Sequence, residues 1–255
     1  MELVKSHCHT LNSDGRSSVV VMASEGIDQG LSHLYITDHH IIGWTTLEFP
    51  EYFEEIDEAR DKISGKIGLH RGVELDWVNG YEDWFIEESK RPFDFVLGAV
   101  HSVGPNRIYA AELPANESRD LTKEYFNQVR RLASSGLADS IAHLDLVKFS
   151  SDETEEYYRE EVKRTLEVIA RSRTAIEINT SGKRKGSKEY NPSNWILEQA
   201  FQFGIPLTIG ADSHRPIHLT YELKEAYDLA RTIGYKTILR FVNRLPIEIP
   251  LNGTV

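Results

Sequence analysis

The sequence contains a single cysteine, Cys8, so no disulfide can form within the chain. Long apolar runs are lacking too: stretches such as FDFVLGAV stop well short of the roughly 18 residues that a membrane-spanning helix requires. The opening MELVKSHCHT has no apolar core of the kind a secretory signal needs. These absences lead us to expect a cytoplasmic protein that does not engage a membrane. Basic side chains are outnumbered, with 29 Lys and Arg against 40 Asp and Glu and a net charge of -11. That balance argues against an extended nucleic-acid interface, where cations must displace the counterions of the phosphate backbone. The GxxxxGK[ST], GxSxG and GxGxxG patterns do not occur. With only 9 prolines and 17 glycines in 255 residues, and 40% hydrophobic residues, disorder and collagen are excluded. The triplets Asn116-Glu117-Ser118 and Asn252-Gly253-Thr254 then read as chance matches to a glycosylation acceptor.

What the chain does have is alternation. Short apolar runs, ELVKSH, LYIT, LHRGVEL, DFVLGAV, DSIAHL, AIEIN and PLTIGA, are separated by amphipathic stretches near 18–29, 51–64, 121–135, 155–171, 194–203 and 220–233. A repeated strand–helix pattern gives a mainly parallel sheet, either open or closed into a barrel. Strand ends decide between the two. His7 and His9, Asp38 and His39, Glu74, His101, His143, Glu177, and Asp212 with His214 each close an expected strand. Only a barrel gathers all of its strand ends around one mouth. The expected fold is therefore α/β, a distorted seven-stranded TIM-like (β/α)7 barrel in a single domain spanning 1–255. The segments 79–91 and 104–117 read as excursions around its mouth.

His7 and His9, two apart on a strand, point to one side and Cys8 to the other. Cys8 is thus expected in the core, and the histidine pair is a chelating arrangement. Of the neighbours His39 and His40, one is expected to be a ligand and the other either a support for a ligand or a rim residue. Glu74 stands in apolar company, where an unpaired carboxylate is costly and a cation removes the cost. Mixed imidazoles and carboxylates suit Zn, Mn, Fe or Co, and so many ligands imply two or three divalent ions. His33, His70 and His218 fall outside the pattern and are expected to be structural or exposed. The run Lys183-Arg184-Lys185 follows the Glu177 strand to the same mouth and makes a phosphate partner plausible.

Taken together, His7-Cys8-His9-Thr10, Asp14-Gly15, Ile36-Thr37-Asp38-His39, Gly72-Val73-Glu74, Gly98-Ala99-Val100-His101-Ser102, Ala142-His143-Leu144-Asp145 and Gly210-Ala211-Asp212-Ser213-His214 resemble the polymerase and histidinol phosphatase family over nearly the whole chain. The resemblance implies a trinuclear centre. His7, His9, Glu74 and Asp212 would hold one metal, Glu74 would bridge to a second on His101 and His143, and Asp14, His39 and His214 would hold the third. Within the family, Ala142 to Lys148 and Glu177 to Lys185 look like the histidinol phosphate phosphatases, which implies hydrolysis of L-histidinol phosphate in histidine biosynthesis, with no protein nucleophile. Basic residues would orient the phosphate: Arg184, with Lys183 or Lys148. The acid for the leaving alkoxide is open among His40, Asp212 and water. Rival readings are a family phosphoesterase acting on a nucleoside bisphosphate, short oligonucleotide or phosphotyrosine, and a non-catalytic metal-binding scaffold. Oligomeric state is not legible.

Overall fold

The computed structural model describes residues 2–104, 106–108, 115–149, 155–185 and 188–251. Strand β1 (Val4–Lys5) leads through helix α1 (Val19–Asp28) to β2 (His33–Ile36) and its short continuation β3 (His39–His40). Helix α2 (Glu51–Ile63), β4 (Gly68–Asp76), α3 (Glu82–Ser89) and β5 (Phe95–Ala99) follow, then a small hairpin of β6 (Ser102–Val103) and β7 (Asn106–Arg107). The second half runs α4 (Ala115–Ser135), β8 (Ser140–Ile141), α5 (Glu155–Ser172), β9 (Ala175–Asn179), α6 (Ser181–Arg184), α7 (Asn194–Gln202), β10 (Leu207–Gly210), α8 (Leu223–Ile233), β11 (Thr237–Val242) and β12 (Leu245–Pro250).

Seven strand positions form one parallel sheet in the order β1-β2-β4-β5-β8-β9-β10, with β3 prolonging β2 along β4. The ends of the sheet meet. Ser6 N–H donates to Ile209 O at 3.0 Å, His9 N–H donates to Ser213 O at 2.9 Å, and Cys8 pairs with Ser213 in a parallel bridge. The result is a nearly closed α/β barrel, and each of the seven expected strand runs lies on it. Strands buried on both faces need continuous apolar sequence, as in β5, where every residue of FVLGA is buried. The surrounding helices show the complementary spacing: α8 buries Leu223, Ala226, Tyr227 and Ala230, one stripe of a helix.

Three features differ from the sequence expectation. Helix α4 starts at Ala115, before position 121, and the excursion 79–91 contains α3. Part of the excursion 104–117, residues 105 and 109–114, lies outside the described residues, as does Asn252-Gly253-Thr254. The third feature is a C-terminal hairpin, β11 and β12, that closes the bottom of the barrel. The Tyr35 hydroxyl donates to Phe241 O at 2.6 Å and accepts from Phe241 N–H at 2.9 Å. At the hairpin turn, Arg244 donates to Asp139 Oδ2 at 2.5 Å, Leu137 O at 2.5 Å and Ser89 O at 3.1 Å, while Asn243 N–H donates to Asp94 Oδ1 at 3.1 Å. Among the described residues, no helix is long and apolar enough to cross a membrane.

Candidate metal centre

The mouth of the barrel is built from the C-terminal ends of its strands. Just after β1, His7 and His9 are fully buried, with their Nε2 atoms 3.0 Å apart. Between them Cys8 turns outward, its thiol 3.3 Å from Tyr35 O, and burial pushes it up to about 12. It is an inert core residue. Glu74, on β4, reaches into the centre of the group. Its Oε2 lies 3.2 Å from His7 Nε2, 3.5 Å from His9 Nε2 and 2.8 Å from His39 Nδ1, while Oε1 lies 2.9 Å from His143 Nε2 and 3.5 Å from His101 Nε2. Asp212 Oδ1 is 3.3 Å from His9 Nε2 and 3.4 Å from His214 Nδ1. Asp14 Oδ1 is 3.1 Å from His214 Nε2 and 3.8 Å from His39 Nε2. All nine expected ligands therefore meet in one cluster. Seven of them form three overlapping groups, His7, His9 and Glu74; His39, Glu74 and His101; and His9, Asp14, His39 and His214, while His143 joins through Glu74 and Asp212 through His9 and His214.

This donor set fits divalent ions. Glu74 Oε2 and the Nδ1 atoms of His9, His39 and His143 are buried without a hydrogen bond, although Glu74 Oε2 and His39 Nδ1 are only 2.8 Å apart. Buried polar atoms require partners, and an unpartnered carboxylate oxygen amid the imidazoles of His7, His9 and His39 is satisfied by cations. The electrostatics agree. Burial alone would raise Glu74, but His7, His39 and His101 outweigh it and hold the carboxyl well below its usual range. Burial, reinforced by His39, pulls His9 well below the imidazole range and keeps its lone pair available.

A second layer of carboxylates aims the imidazoles. Glu177 Oε1 is 2.8 Å from His7 Nδ1, and its Oε2 accepts the His143 N–H at 3.1 Å. Asp76 Oδ1 is 3.0 Å from His101 Nδ1. The His7 and His101 pairs leave Nε2 turned to the centre, the usual way a carboxylate fixes a ligand histidine, whereas Glu177 holds His143 through its backbone N–H. Glu177 reaches His7 by passing over Gly210, where an added Cβ would overlap both the Glu177 carboxylate and the His7 side chain. Asp38 accepts from Thr10 N–H at 2.6 Å, Thr10 Oγ1 at 2.7 Å and Ser13 Oγ at 2.6 Å, and so holds the loop that presents Asp14. Below the cluster Lys5 is wholly buried, donating to His7 O at 2.5 Å. Burial pulls its ammonium down to about 7 against the fields of Cys8, Glu177 and Asp212.

Above the cluster opens a cavity of about 540 Å³. Lys185 lines it, with Nζ 3.0 Å from Asp212 Oδ2. The other expected phosphate residues are placed differently. Residues 181–184 form a helical turn rather than a flexible loop, and it turns Arg184 back on the barrel, donating to Ala211 O at 2.8 Å and Asp212 O at 3.1 Å. Lys183 lies over the Tyr190 ring at 4.9 Å and lines a separate cavity. Lys148 donates to Tyr190 O at 2.7 Å and pairs with Asp145 at 3.0 Å. None of the three lines the cavity over the cluster. His40, one of the candidate acids, faces away from it: Nε2 is 2.9 Å from Glu88 and Nδ1 accepts the Leu47 N–H at 2.9 Å. His33 and His70 pair with each other at 3.0 Å near the N-terminal ends of β2 and β4, and His218 sits in a short 3-10 helix.

A family model described as the PHP domain matches residues 5–181. The chain belongs to the PHP domain family. A similar relative of this PHP protein is a probable histidinol-phosphatase of Deinococcus radiodurans, 31% identical over 252 residues and spanning 92% of this chain and 95% of that one. The histidinol-phosphatase of Lactococcus lactis is 26% identical over 261 residues, covering 94% and 95%. The same PHP barrel is seen in the crystal structure of the histidinol phosphate phosphatase from Lactococcus lactis in complex with zinc, L-histidinol and phosphate. That structure superimposes with a TM-score of 0.84 at 22% identity, over 96% of this chain and 99% of the other.

Proposed function

We propose that this PHP protein is a metal-dependent phosphomonoesterase that hydrolyses L-histidinol phosphate to L-histidinol and phosphate, acting in histidine biosynthesis as one domain in the cytoplasm. The observation that carries the reading is the convergence of nine metal-capable side chains, seven of them in three overlapping groups and His143 and Asp212 beside these, beneath a cavity that an ammonium group also enters. The histidinol-phosphatase relatives over nearly full length supply the substrate. When bound, two or three divalent ions would supply Lewis-acid stabilisation of the charge on the phosphoryl oxygens.

The protein's own groups do the rest. Glu74 spans the groups and fixes their separation; Asp212 and His9 join the first to the third. Lys185, beside Asp212 at the cavity wall, can swing its ammonium from the carboxylate to a phosphate oxygen, a charge-assisted contact. Arg184, by donating to Ala211 O and Asp212 O, anchors the backbone that carries Asp212. The test is phosphate release from L-histidinol phosphate by protein purified without chelator, with and without Zn or Mn. The expected result is turnover that chelation abolishes and metal restores. Metal-loaded, folded protein that releases no phosphate from this ester would overturn the reading.

A further inference from the structure

The catalytic cavity is lined by two unlike kinds of residue. Its lining includes the ligand cluster and Lys185, and also the apolar side chains of Ile41, Ile42, Trp44 and Val78. The Trp44 side chain is large and costly to leave in water, yet Trp44 is 47% exposed. Its ring stands beside the metal ligands, with the His39 and Trp44 ring centroids 5.5 Å apart. The segment carrying it is a closed turn. Ile41 N–H donates to Thr45 O at 2.6 Å, and Thr45 N–H and Trp44 N–H both donate to Ile41 O at 3.1 Å. Gly43 supplies the φ of +77° that such a turn requires. Trp44 is therefore held in place over the cavity before anything binds.

We propose that Trp44, with Ile41, Ile42 and Val78, is the recognition wall for the alcohol half of the substrate, and that this half carries a flat heteroaromatic ring which lies against the indole. The inference rests on the phosphatase reading above and deepens it. A phosphate seated on the ligand cluster leaves the rest of the ester only the remainder of this cavity. An imidazole meets the indole through offset stacking or, when protonated, through cation–π attraction. The wall thereby makes the enzyme distinguish ring-bearing from ring-free phosphomonoesters, a choice that ions held by the ligand cluster and meeting only the phosphate would not make.

The experiment compares kcat/KM for L-histidinol phosphate with that for phosphoethanolamine, a ring-free amino alcohol ester, in the wild type, Trp44→Ala and Trp44→Phe. Metal content and circular dichroism are measured on each. The ratio of the two values should fall roughly tenfold or more in Trp44→Ala, chiefly through KM, and Trp44→Phe should recover most of it. A wild-type preference for L-histidinol phosphate that survives within about twofold in both variants overturns the wall while leaving the phosphatase reading intact. A wild type that hydrolyses the two esters equally well overturns the wall, and one that releases no phosphate from L-histidinol phosphate overturns the phosphatase reading on which it rests.

Discussion

At the scale of single side chains, the centre depends on groups that would touch no ion. Glu177 is fully buried and spends its two oxygens on His7 and on the His143 amide. Glu177→Gln keeps the volume but can present an amide N–H where His7 needs an acceptor. We expect roughly a 10- to 100-fold loss in metal affinity or activity, read by elemental analysis beside turnover, and unchanged metal content with normal turnover would contradict the role. Gly210→Ala tests the same contact from the opposite side. The added methyl must displace Glu177 or His7, so activity should fall at least roughly tenfold although no titratable group has been altered. Circular dichroism alongside the assay separates this loss from unfolding.

The same scale shows what the sequence could and could not reveal. His7, His9, Glu74, His101 and His143 were legible because position along a strand dictates direction: alternate residues share a face, and a strand end in a barrel faces the mouth. Direction is lost where the strand stops. Lys183, Arg184 and Lys185 are consecutive, and only the helical turn of α6 determines that Lys185 enters the cavity while Arg184 folds back. Glu177 was visible as a strand-end carboxylate, but nothing in its neighbours distinguishes a ligand from a residue that orients one.

Among the elements, the terminal hairpin holds the floor of the barrel as the loops hold its mouth. Arg244 at the turn between β11 and β12 ties β8 to the end of α3 through Asp139, Leu137 and Ser89. Burial raises the Asp139 carboxyl from 3.8 to about 6, against the opposing pull of Arg244. The folded state thus holds this proton more tightly than the unfolded chain. Its contribution to stability is fully present below about pH 3.8 and is lost as pH rises through about 6. Asp139→Asn does not titrate, so between about pH 5 and about pH 7.5 the stability difference should move in favour of the variant by about 1 to 1.5 kcal/mol. Urea titrations of both proteins at the two pH values decide this, and a constant difference would place the folded pKa elsewhere. The sequence did not reveal the hairpin, because burial along it does not alternate: only Ile238, Phe241 and Ile249 of its seven aliphatic and aromatic residues are buried, so no period-2 pattern marks a strand pair. Helix α3, with eight residues, was hidden by its brevity.

For the whole molecule, the ligands come from β1, the β2–β3 unit, β4, β5, β8 and the segment after β10, so bound ions would cross-link nearly the full circumference. A cation that binds only the folded barrel stabilises it by mass action, about 4 kcal/mol when present at a thousand times its Kd. Removing tightly held ions should therefore lower the Tm by roughly 10 °C per site. A thermal melt with and without chelator, alongside elemental analysis expected to find two or three ions per chain, tests this; a Tm indifferent to chelation would mean that the cluster is stable empty.

The seam of the barrel lies between residues far apart in sequence: Ser6 bonds to Ile209, His9 to Ser213, and the Tyr35 hydroxyl to Phe241. During synthesis the amino-terminal strand must wait, with its apolar face and histidines uncovered, until more than four-fifths of the chain has left the ribosome. Contacts of such long range are slow to form, and partly made parallel sheets expose edges that pair with other chains. The protein's vulnerability thus lies less in its finished form than in the interval before β10 arrives and the first strand gains its second neighbour.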